Sequence, residues 1–160
     1  MRILAVSSSV PATNAKGFQV QAYHRLRYLS RSHKVDVVCF GHGQEDEVRK
    51  RELVDMGIGV HMLPWRWGTA FCEVTKALFD GKTALQCALF KSSAFSAAIQ
   101  KLVNETSPDA IHATTIRILP NLVNSSAPLM LDMVDSMALN FRRRVNSSPW
   151  WSRIFWMLEQ

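Results

Sequence analysis

Residues 2–40 read RILAVSSSVPATNAKGFQVQAYHRLRYLSRSHKVDVVCF, and they set the class of fold. Arg2 to Ser7 is a short apolar run, read as a buried strand. A loop with Ser8, Ser9, Pro11, Asn14 and Gly17 follows. From Phe18 to Ser32 the apolar period becomes helical, with Phe18, Ala22, Leu26 and Leu29 on one stripe. Val35 to Phe40 is a second apolar run, closed by Gly41 and Gly43. Strand, loop, helix, strand within forty residues is the unit of a parallel sheet.

The same alternation continues. Glu45 to Met56 is polar and helical, with Glu45–Arg49, Asp46–Lys50 and Glu47–Arg51 spaced for i,i+4 pairing. Each such pair stabilises by only about 0.2–0.5 kcal/mol. Val60 to Leu63 is a third strand. Thr69 to Phe79 reads as a helix closed by Asp80 and Gly81, and Leu85 to Phe90 as a short one. The region holds Trp65, Trp67, Phe71, Leu78, Phe79, Leu89 and Phe90. Packing on the core is the expected use of such large apolar groups, and lining a substrate cleft is the alternative. Ser93 to Glu105 is a helix with Phe95, Ile99, Leu102 and Val103 on its apolar stripe. Asp109 to Thr114 is a fourth strand, Thr115 to Asn124 a helix interrupted or kinked at Pro120, and Leu129 to Val134 a fifth strand. A last helix is expected from Pro149, carrying Trp150, Trp151, Ile154, Phe155 and Leu158. The expected fold is α/β, a Rossmann-like doubly wound parallel sheet in a single domain spanning residues 1–160.

Composition narrows the partners. Hydrophobic residues make up 48% and charged residues 20%, which excludes a disordered chain. The formal charge of +6 suits phosphate-bearing partners or a solvated basic surface. Cys39, Cys72 and Cys87 lack metal-ligand spacing, so no metal site is expected, and Cys39 reads as a core residue. The odd cysteine count and the absence of a signal-like core point to the cytoplasm.

Ligands of open parallel sheets bind beyond the carboxyl ends of the strands. That rule selects Ser8–Gly17, Gly41–Gly43, His112–Thr115 and Asp132–Ser136. Gly17, at a helix start, allows a phosphate or sugar close to the backbone, with a glycine needed only for the turn as the competing reading. His112 offers an imidazole for hydroxyls or proton transfer, with a satisfied core histidine as the competing reading. Asp132 and Asp135 offer carboxylates, with turn and cap roles as the competing reading. Arg142, Arg143 and Arg144, beside the Trp-rich final segment, suit either an anionic membrane surface or an absent partner domain. No dinucleotide, P-loop or nucleic-acid motif is present, so no nucleic-acid partner is expected.

The order of these segments resembles the opening of retaining GT-B glycosyltransferases of the glycosyltransferase 4 type. SPDAIHAT is similar to their strand-four "PDVVHAH" motif, and APLMLDMVDS to the following strand that ends in aspartate. The nearest likeness is to bacterial sugar transferases of exopolysaccharide synthesis. The resemblance implies one half of a GT-B fold, an acceptor-side domain whose carboxy-terminal donor-binding domain or complementary subunit is absent. It implies a nucleotide sugar as co-substrate, a glycan or lipid-linked acceptor, no cofactor and no metal. Lys16 and Gly17 match the donor-phosphate loop, where many relatives carry paired glycines. His112 matches the first histidine of strand four, Thr114 standing in place of the second. Asp132 and Asp135 match the acidic region of strand five. The chain alone is expected to be inactive. The alternative expectation is a non-catalytic module docking a partner protein or the inner membrane face.

Overall fold

The computed structural model describes residues 1–15, 17–81, 83–122 and 127–133. Lys16, Val134, Asp135, Arg142, Arg143, Arg144 and the helix expected from Pro149 lie outside the described residues.

Five strands form one all-parallel sheet: β1 (Arg2–Ser7), β2 (Lys34–Gly41), β3 (Gly59–Pro64), β4 (Ala110–Thr114) and β5 (Leu129–Asp132), in the order β3-β2-β1-β4-β5. The helices are α1 (Gly17–Leu29), α2 (Gln44–Asp55), α3 (Trp67–Asp80), α4 (Leu85–Leu89) and α5 (Ser93–Thr106). This is the doubly wound, Rossmann-like α/β arrangement that the alternation predicts.

Each sheet face has its own core. On one, Leu4, Val6, Val38, Phe40, Ile111 and Ala113 pack under Phe95, Ile99, Leu102 and Val103 of α5. On the other, Ala5, Val35, Val37 and Cys39 pack with Leu26 of α1 and Leu53 of α2. Two apolar faces on one strand explain why the strand runs are continuous rather than alternating. Burial pushes the Cys39 thiol up to about 12, with the Asp46 charge adding to the shift and Lys50 opposing it. An inert core thiol is the result.

The charged side of α2 differs from the expected pairing. Arg49 reaches Glu45 at 3.5 Å, as the spacing predicts, but also Asp46 at 2.7 Å, and Lys50 turns to Glu47 at 3.4 Å. The cause is Asp46, which is buried and accepts the His42 backbone N–H at 2.8 Å. Its carboxylate thereby ties the chain entering α2 to the first turn. Replacing it, Asp46→Ala, is expected to cost about 1 kcal/mol in urea denaturation. An unchanged midpoint would show that this cap does no more than solvent could.

Three further differences concern shape. The expected helix Thr115–Asn124 is a short 3-10 helix at Ile116–Asn121, because Pro120 lacks the N–H that an α-helix needs and cannot continue one. The fifth strand ends at Asp132, and Leu129 and Met130 are exposed because β5 is a sheet edge. On α3 the expected packing of large aromatics is reversed. The inward stripe is Ala70, Val74 and Ala77, of which Val74 and Ala77 pack with Leu85 and Ala88, while Trp67, Phe71, Leu78 and Phe79 face outward. Small residues let α3 approach α4 closely, and a 3.6-residue period then carries the bulky stripe to the opposite side. Gly81, left-handed at φ 62°, ends α3 as expected.

Candidate functional site at the carboxyl edge

β1 lies between β2 and β4, so consecutive connections leave it in opposite directions. That reversal opens a crevice at the carboxyl ends of β1 and β4. Register places Ser7 opposite Thr114, and Thr114 opposite Asp132. Ser7, Thr114 and Asp132 therefore form a row across three strand tips. His112, two residues below Thr114, shares their face, which is the face covered by α1.

Three hydroxyls at or just past these strand ends are unsatisfied among the described residues. Ser7 Oγ, Ser9 Oγ and Thr115 Oγ1 are buried and find no hydrogen-bond partner among the described residues. Each such orphan costs about 1–3 kcal/mol. Thr115 adds backbone strain, with φ 82° and ψ 146°. A β-branched side chain is unfavourable there, and strain of this kind costs on the order of 1–3 kcal/mol. Its N–H is held by the Asp132 carbonyl at 3.1 Å, which fixes the turn against β5. Thr115→Gly is expected to raise the unfolding free energy by about 1 kcal/mol while removing a site hydroxyl. A loss of stability in thermal or urea melts would show that the turn is not strained.

Below this row sits a charged cluster. Arg25, from the third turn of α1, donates through Nη1 to Asp132 Oδ2, and the same nitrogen lies 3.2 Å from His112 Nε2. A guanidinium has no acceptor, so Nε2 must accept and the ring proton resides on Nδ1. Burial holds the His112 pKa below its ordinary value, helped by the Arg25 charge and opposed by Asp132. His112 is thus a neutral imidazole whose free lone pair is engaged by Arg25. It can orient a cation or a hydroxyl, but it takes a proton only if Arg25 moves away. Arg25 has no further partner among the described residues, so its remaining N–H groups are available to an anion or a polyhydroxyl ligand.

The sequence-predicted residues fall into three sets. His112 and Asp132 meet, through Arg25. Gly17 begins α1 at the same sheet edge, where packing sets no demand for glycine: a Cβ would meet nothing within 4 Å. Lys16, Asp135 and Arg142 to Arg144 lie outside the described residues. Arg25 and Ser7 are the site residues that sequence reasoning missed, whereas Ser9 and Thr115 fall in the selected segments Ser8–Gly17 and His112–Thr115. Arg25 sits beside the apolar stripe of α1 with no local motif to mark it. Among the described residues no group of three or more His, Cys, Asp or Glu could hold a metal, and no helix is long and apolar enough to cross a membrane. No family model, curated protein or solved structure matches the chain.

Proposed function

We propose that the chain is the acceptor-side half of a retaining glycosyltransferase that moves a sugar from a nucleotide sugar to a glycan or lipid-linked acceptor. The observation that carries this reading is the crevice itself. Ser7, Ser9 and Thr115, whose hydroxyls have no partner among the described residues, lie at or just past the carboxyl ends of β1 and β4, and the Arg25–Asp132 pair sits at the same sheet edge, where α/β proteins bind ligands. Such a lining suits a polyhydroxyl ligand with a nearby phosphate, since hydroxyls exchange hydrogen bonds in both directions and Arg binds phosphate oxygens in a fork. The order of sequence motifs supports the same reading.

In this reading Asp132 accepts a hydrogen bond from an acceptor hydroxyl, His112 keeps Arg25 in place, and Gly17 leaves room for the donor phosphates at the start of α1. A second Rossmann-like domain or subunit binds most of the donor. The protein works in the cytoplasm, at the inner membrane face when the acceptor is lipid-linked.

The test supplies a donor-binding half from a retaining GT-B enzyme in trans. Radiolabelled UDP-glucose and GDP-mannose are offered with glycan and lipid-extract acceptors. Label transfer is expected, reduced at least tenfold by Asp132→Asn. If no pair supports transfer, and if amide signals of Ser7, Ser9 and Thr115 stay unmoved by saturating nucleotide sugar or oligosaccharide, the reading fails.

A further inference from the structure

A cavity of about 340 Å³ lies away from the β1–β4 crevice, on the α5 side of the sheet. It is walled by the tips of β2 and β3, the first turn of α3 and the junction of α4 with α5. Its size falls at the small end of the range for small-molecule sites, roughly 300–1,000 Å³.

The walls are aromatic, and their rings touch further rings. Phe40 stacks on Phe95 with centroids 4.0 Å apart. Trp65 meets Trp67 edge-on at 4.3 Å and His42 at a tilt at 5.2 Å. Phe90 meets both Phe40 and Trp65 at 6.3 Å, and the Arg117 guanidinium lies 5.9 Å over its ring. Rings fixed in this way present a preformed apolar surface to a ligand.

The rim is cationic. Arg66 is exposed and has no carboxylate partner among the described residues. Lys91 reaches Glu73 at 3.4 Å, but that carboxylate is already bound by Lys76 at 2.6 Å. One acid shared by two lysines leaves a positive charge uncompensated. Thr69 and Ser93 add hydroxyls to the lining. A packing void would be closed and apolar, whereas this one combines ring faces, hydroxyls and spare cations.

We propose that this cavity is a binding site for a small ring-bearing anion of one-sugar size, the ring lying on Trp65 and Phe90 and the anion between Arg66 and Lys91. A phosphorylated sugar has this chemistry: its C–H face suits an aromatic wall, its hydroxyls suit Thr69 and Ser93, and its phosphate suits a guanidinium. The inference does not rest on the transferase reading, because it uses none of the residues of the carboxyl-edge crevice.

Calorimetry and intrinsic tryptophan fluorescence of the full chain test it, with glucose 1-phosphate, glucose and inorganic phosphate as probes. Glucose 1-phosphate is expected to bind saturably and more tightly than either of the others. Arg66→Ala, an exposed position that leaves the circular dichroism spectrum unchanged, is expected to weaken it about tenfold. Asp132→Asn is expected to leave it unchanged, which separates this site from the crevice. Equal binding of phosphate alone would remove the ring from the proposal, and equal binding of glucose would remove the anion; either overturns it. So would an absence of binding, or binding that survives Arg66→Ala but is lost in Asp132→Asn.

Discussion

Phe95→Ala is expected to lower the unfolding free energy by about 3–5 kcal/mol, as read from urea denaturation followed by tryptophan fluorescence. The ring is wholly buried in the third position of α5 and lies flat on Phe40, 15° from parallel. It belongs to the same buried cluster as the strand residues Leu4, Val6, Val38, Phe40 and Ile111, so the space it leaves is bordered by several elements. The cost is the lost transfer energy of the ring plus a cavity that the surrounding core closes only in part. Against a typical domain stability of about 5–15 kcal/mol, this is a large share. Phe95→Leu keeps most of the volume and is expected to cost less than half as much. A loss below about 1 kcal/mol for the alanine variant would mean that α5 does not seat this ring in the core.

Arg25→Met is expected to raise the pKa of His112 and to reduce stability by about 1–2 kcal/mol at neutral pH. The energetic estimate lies between an exposed and a buried ion pair, because Arg25 and Asp132 are both partly exposed, at 35% and 22% of their side chains. In the native protein burial and Arg25 both disfavour a charged imidazole, and only Asp132 favours it. Methionine keeps the apolar stem and removes the cation, which leaves Asp132 facing His112 without a competitor. The imidazole then gains a carboxylate partner in its protonated form.

The sign of the pH dependence follows. With its folded pKa depressed below 6.5, His112 binds a proton in the unfolded chain before it does so in the native state. Stability is therefore undiminished above about pH 6.5 and falls as acid is added below it, until the folded group also protonates. In Arg25→Met the two pKa values lie closer together or cross, so this acid loss shrinks. NMR titration of the imidazole and denaturation midpoints between about pH 5 and 8 measure both effects. Identical titration curves in the two proteins would show that Arg25 does not act on His112.

α3 shows where a periodic pattern is ambiguous. Two stripes run along it, one of small residues and one of large aromatics, and hydrophobicity alone favours burying the larger. The fold buries Ala70, Val74 and Ala77 instead. Which stripe turns inward depends on how closely α4 can approach, and that distance is a property of the assembled chain. β5 teaches the same lesson: LMLD reads as a core strand, but its place at the sheet edge leaves Leu129 and Met130 exposed.

Local chemistry was enough for the elements and their class. Short apolar runs such as Arg2–Ser7 and Ala110–Thr114 have one economical conformation, a strand covered on both faces, and helical segments between them force a parallel sheet. Gly81 and Pro120 mark an end and a break because their backbone chemistry allows little else. The site was legible only in part. His112 and Asp132 stood out as polar groups in apolar strands that would need partners if buried. Their partner could not be read, because Arg25 lies 87 and 107 residues away along the chain. Only the strand order, which places β4 beside β1 and β5 beside β4 under α1, brings that guanidinium to them. The same order aligns Ser7 with Thr114 at neighbouring strand ends. Secondary structure is a near-neighbour property that each segment carries in itself, whereas a charge or hydroxyl acquires its role from whatever the topology sets within a few ångströms.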